Sequence, residues 1–136
     1  MPDSTTTKIE FLRSLGCMEK GHSGRDLYTH LEGTRKKLEE LGAPEYLQDA
    51  GLFHSVYGTA SFKHQSTNDR DKVRALIGEQ AEEIVFMFCS LATPRTYHIG
   101  RLEESQLKKD LKLLNYANNL EQDEVKNPRL DYYKNV

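Results

Sequence analysis

Apolar residues recur along the chain at spacings of three and four, the repeat that lines one face of an α-helix. Ile9, Leu12 and Leu15 mark a short first helix ending at Gly16. Asp26 is placed to cap a second, with Leu27, Leu31, Thr34, Leu38 and Leu41 on its stripe; Gly42 and Pro44 end it. A third runs from about Pro44 to Ser55, its stripe formed by Leu47, Ala50, Gly51 and His54. Asn68 or Asp69 caps a fourth carrying Val73, Leu76 and Ile77. A fifth follows Gly78 with Ala81, Ile84, Val85 and Phe88, and a last spans roughly Leu102 to Gln122 with Leu107, Leu111, Leu114 and Asn118 in register. No stretch alternates with a period of two for long. The pattern predicts an all-α bundle of about six helices: a polar arm over residues 1–6, one domain over 7–126 and a tail over 127–136.

Composition narrows the class. The 136 residues suit one domain, and 37% hydrophobic content with 9% aromatics lies above the range of disordered chains. A net charge of −2 offers no broad attraction for a nucleic acid polymer or an acidic membrane. The longest apolar run, Ile84 to Cys89, is too short to span a bilayer, and the polar start lacks a hydrophobic signal core. Two cysteines, Cys17 and Cys89, cannot build a disulfide framework. These features predict a cytoplasmic location. Arg35-Lys36-Lys37 and Lys108, Lys109 and Lys112 read as solvated helix faces.

The candidate chemistry lies in polar residues where the periodicity wants a hydrophobe. His30 borders the stripe of the second helix, His54 lies on that of the third, and Asn118 on that of the last. Burying imidazole and amide groups without partners is costly, so the pattern predicts that the three converge on an internal polar pocket. The glycine-bearing loop His22-Ser23-Gly24-Arg25 precedes the second helix, where free N–H groups favour an anion. Tyr57-Gly58-Thr59 reads as a helix stop and turn. Ala50-Gly51 removes bulk from the third helix and lets a neighbour approach beneath His54.

These residues resemble the HD superfamily of metal-dependent phosphohydrolases, particularly the Rel/Spo-type domains that remove pyrophosphate from guanosine tetraphosphate. Ser23-Gly24-Arg25-Asp26-Leu27-Tyr28-Thr29-His30 is similar to that family's Ser-Gly-x-x-Tyr-x-x-His segment, with the tyrosine displaced by one. Ala50-Gly51-Leu52-Phe53-His54-Ser55 looks like its His-Asp segment, 24 positions after His30, and Tyr116-Ala117-Asn118-Asn119-Leu120 like the segment bearing the last metal aspartate. The likeness covers roughly residues 20 to 122. It implies an HD-like hydrolase acting on a phosphorylated, nucleotide-like small molecule. His30 and His54 would hold one divalent metal ion (Mn, Fe or Zn), weakly held or absent. His54, Ser55 and Asn118 would serve catalysis, and His22, Ser23, Arg25, Tyr57 and Thr59 would bind substrate.

The departures are chemical. Ser55 and Asn118 replace both aspartates, leaving two neutral imidazoles, and hard cations prefer anionic oxygen. Glu121, His22, His64 and His98 are candidate substitute ligands, with His64 and His98 expected in loops. Gly58 and Thr59 stand where Rel-type hydrolases carry a Glu-Asp pair. A non-catalytic small-molecule- or nucleotide-binding domain and an HD-fold metal-dependent oxygenase are the alternative expectations.

Overall fold

The computed structural model describes residues 4–14, 21–22, 25–58, 67–92 and 94–126, with side chains described for 7–14, 28–58, 67–92 and 94–122. The chain is all-α, with seven helices among the described residues. They are α1 (Ser4–Ser14), α2 (Leu27–Glu40), α3 (Glu45–Phe53), α4 (Arg70–Ile77), α5 (Glu79–Ser90), α6 (Arg95–Gly100) and α7 (Gln106–Lys126). Two-residue strands β1 (Gly21–His22) and β2 (Arg25–Asp26) pair antiparallel just before α2, Gly21 opposite Asp26 and His22 opposite Arg25.

The punctuation follows the local chemistry. α2 closes in a Schellman arrangement: Gly42, at φ 80°, donates to Glu39 O and Ala43 N–H reaches back to Leu38 O. Pro44 then sets the entry to α3. Asp69 caps α4 by accepting from Lys72 N, as the sequence predicts. Gly78, at φ 90°, turns the chain directly from α4 into α5.

The core is built largely from the predicted stripes, with Phe53 added and with Leu41, expected on the second stripe, left 41% exposed at the end of α2. Leu31, Leu38, Leu47, Ala50, Phe53, Val73, Val85, Phe88, Leu111 and Leu114 are all fully buried in one cluster. α2 is the central element, packed most extensively on α3 and α7; α3 also packs on α5, and α6 on α7. Gly51 marks the α2–α3 crossing: a Cβ built there would lie 2.5 Å from Leu38 Cδ1 and 3.6 Å from the Arg35 backbone. A Cβ there would force the buried Leu38 side chain aside, while the Arg35 backbone is at ordinary contact distance.

Several boundaries differ from the periodic reading. α1 begins at Ser4, inside the stretch read as a polar arm, because its first turn carries no apolar residue to reveal it. α3 ends at Phe53, and His54 to Tyr57 form a turn closed by Gly58 N–H on Ser55 O. α6 has only six residues, too short for a periodic signal, so His98 lies in a helix and α7 starts at Gln106. Lys108 is not solvated: it is buried, and its ammonium bonds Gly100 O at the end of α6 and the Glu104 carboxylate. No described helix is long and apolar enough to cross a membrane.

Candidate functional site: a paired-histidine centre

The two histidines singled out by the pattern meet. His30, on α2, is 0% exposed and His54, just past the end of α3, is 3% exposed. Their Nε2 atoms lie 3.1 Å apart, with the rings edge to face. Each ring is fixed from behind. His54 Nδ1 lies 2.7 Å from Gly51 O, and since a carbonyl can only accept, that nitrogen carries the proton. His30 Nδ1 lies 2.6 Å from Glu121 Oε1, one helical turn beyond Asn118 on α7. Thr34, the other polar residue of the α2 stripe, is satisfied within its own helix by donating to His30 O at 2.9 Å.

The character of this contact depends on where the protons sit. With a proton on each Nδ1 and an ionised Glu121, two neutral rings would point lone pairs at each other across 3.1 Å. The contact is favourable when a positive centre is shared by the two nitrogens. A proton satisfies it, whether it sits on a ring or is passed back to the glutamate; so does a metal ion that takes both lone pairs. Two nitrogens bound to one zinc at 2.0–2.1 Å lie roughly 3.3 Å apart when the angle is tetrahedral. The backing of each ring by a carboxylate and a backbone carbonyl is also how metal-binding histidines are oriented. The donor set therefore fits a borderline transition metal better than magnesium. Among the described residues no cluster of three or more His, Cys, Asp and Glu completes a cage.

Glu121 reaches His30 because of a gap on α2. A Cβ at Gly33 would fall 2.7 Å from Glu121 Cγ and Oε2, so any larger residue competes with the carboxylate for space. On the far side of His54, Phe88 meets its ring edge to face at 5.5 Å, and Cys89 Sγ donates to His54 O at 3.1 Å. Burial pushes the Cys89 thiol up to about 12, so it stays a neutral donor.

A second polar cluster joins α4 to α5. Glu82, 1% exposed, accepts from Arg70 Nε and Nη2 at 2.7 and 2.9 Å and from Tyr57 OH at 2.8 Å, with Arg74 at 3.5 Å. Burial alone would raise the Glu82 carboxyl, but the hydrogen bonds from Arg70 and Tyr57 and the two guanidinium charges hold it below the usual range. Burial and the neighbouring carboxylate raise the Tyr57 phenol.

The remaining candidate residues fall as follows. Ser55 is buried, and its Oγ has no hydrogen-bond partner among the described residues. Asn118 is buried too, but its described contact is with Gln122, at 3.5 Å; the α7 group that bonds an imidazole is Glu121. Tyr57 is committed to Glu82. His98 stacks edge to face on Tyr97. Ser23, Thr59 and His64, and the side chains of His22 and Arg25, lie outside the described residues, as do Cys17 and the tail over 127–136. The Glu82 network had no signal in the periodicity beyond a glutamate at a stripe position, one residue after Ala81 and two before Ile84.

The family model described as Domain of unknown function (DUF6817) matches residues 11–93, more than half of the chain. The chain belongs to this family. No curated protein and no solved structure matches it. The DUF6817 match takes in α2 to α5, and hence both histidines, while Glu121 on α7 lies beyond it.

Proposed function

We propose that this DUF6817 domain binds one transition-metal ion at Nε2 of His30 and His54 and acts as an HD-like hydrolase on a phosphorylated, nucleotide-like small molecule. The observation that carries the reading is the 3.1 Å approach of two Nε2 atoms whose opposite nitrogens are already engaged. Glu121 orients His30 and strengthens it as a donor, and the Gly51 carbonyl does the same for His54. A bound ion of this kind supplies a water of lowered pKa. Ser55, next to His54 and with its hydroxyl uncommitted among the described residues, serves to hold substrate or water.

A second reading is a binding domain without catalysis. It is favoured by the position of Glu121, which stands behind His30 rather than on the Nε2 side, and by Ser55 and Asn118 in place of carboxylates.

Elemental analysis of protein produced in metal-supplemented medium tests the proposal. About one equivalent of zinc, iron or manganese is expected, lost in the double variant His30→Ala/His54→Ala, together with phosphatase activity on nucleotide substrates. Metal-free protein that takes up none of these ions on titration overturns the metal centre; a stoichiometric ion without hydrolysis selects the binding reading.

A further inference from the structure

Arg95, the first residue of α6, was not among the residues singled out by the sequence. Its guanidinium lies over the Phe88 ring, 4.2 Å from the centroid, and Phe88 in turn touches His54. Its Nε is buried with no hydrogen-bond partner among the described residues. Burial lowers its pKa, and no carboxylate offsets that effect.

The other half-buried or buried cations are treated differently. Lys8 pairs with Asp49, Arg35 with Glu32, Lys37 with Glu40, Arg70 and Arg74 with Glu82, and Lys108 with Glu104. Among the described lysines and arginines withdrawn from solvent, Arg95 alone has no acidic partner. Stacking on an aromatic face compensates part of the charge but accepts none of the five N–H donors of a guanidinium. Arg95 is half-buried rather than sealed, so its guanidinium, without a counter-ion among the described residues, can receive an anion from solution. The planar fork matches a phosphoryl group, which it can bond in bidentate fashion.

We infer that Arg95 is the anchor for a phosphoryl group of the domain's ligand, one aromatic ring removed from the paired histidines. This deepens the proposed function, on which it rests for the identity of the site but not for its test.

The test is binding of inorganic phosphate to the full chain stripped of metal by a chelator, followed by ³¹P line broadening and thermal denaturation against chloride at equal ionic strength. Saturable binding is expected, weakened at least tenfold in Arg95→Met, which keeps an apolar stem over Phe88, and less in Arg95→Lys. Arg101→Met, an exposed position just past the end of the same helix, should bind as the parent does. Phosphate binding that survives in His30→Ala/His54→Ala keeps the Arg95 assignment even if the metal centre fails. No saturable binding by the parent chain, or equal affinity in a folded Arg95→Met or Arg95→Lys chain, overturns it and leaves Arg95 as a packing residue on Phe88.

Discussion

The buried polar clusters around Glu82 and around His30 and His54 are balanced in different ways. Around Glu82, one carboxylate accepts three hydrogen bonds, two from Arg70 and one from the Tyr57 phenol, and faces the guanidinium charges of Arg70 and Arg74. Around His30 and His54, the Glu121 carboxylate backs one imidazole and the two Nε2 atoms face each other across 3.1 Å, so the balance of the contact depends on where a proton or an ion sits. The first cluster is closed by fixed charges; the second is open to protonation or to the metal ion proposed above.

The largest effect should come from breaking the closed cluster. Glu82→Ala leaves Arg70 and Tyr57 without their acceptor and Arg74 with Asp71 alone, and should cost about 2 kcal/mol in denaturant unfolding, with metal content unchanged. The same cluster predicts the acid response. Because Glu82 titrates below the ordinary glutamate value of 4.5, its contribution is complete above that pH and is lost as the pH falls through the folded-state value. Stability measured against pH should therefore drop on acidification in the parent chain, and less steeply in Glu82→Gln.

Smaller is the expected effect of Glu121→Gln on the open cluster. The amide is nearly isosteric but no longer supports a charged or metal-bound His30, so affinity for zinc should fall 10- to 100-fold with little change in the fold. Equal zinc affinity in parent and variant would place Glu121 with the structural network instead.

Gly33→Ala should be subtler still. The added methyl crowds the Glu121 carboxylate away from His30, so zinc affinity should fall in the same direction but by less. Helix propensity works the other way, favouring alanine by up to about 1 kcal/mol in the unfolding equilibrium. Weaker zinc binding in a chain no less stable would separate the site from the scaffold.

Much of the fold was legible because its determinants are local. The three-and-four spacing of Leu31, Thr34 and Leu38, or of Leu111, Leu114 and Asn118, sets which face of a helix is buried whatever it packs against. Gly42, Gly78 and Asp69 mark helix ends through their own backbone or side-chain chemistry. α6 escaped because six residues hold less than two turns, and Arg95 with it. The buried histidines were visible for the same local reason, as polar residues at apolar positions.

Their partners were not. Whether Asn118 or Glu121 faces His30 depends on how α7 is rotated and slid along α2, and both residues lie on nearly the same stripe. Gly33, 88 residues away, leaves the space that the Glu121 carboxylate occupies. The sequence by itself determined that helices with buried faces would form and that two imidazoles would be drawn inward. Tertiary packing decided that the imidazoles face each other, that Glu121 stands behind one of them, and that Arg95 is left without an acidic partner among the described residues. Periodicity assigns a face to each helix separately, whereas hydrogen bonds and charge balance depend on distances between helices that no single segment encodes.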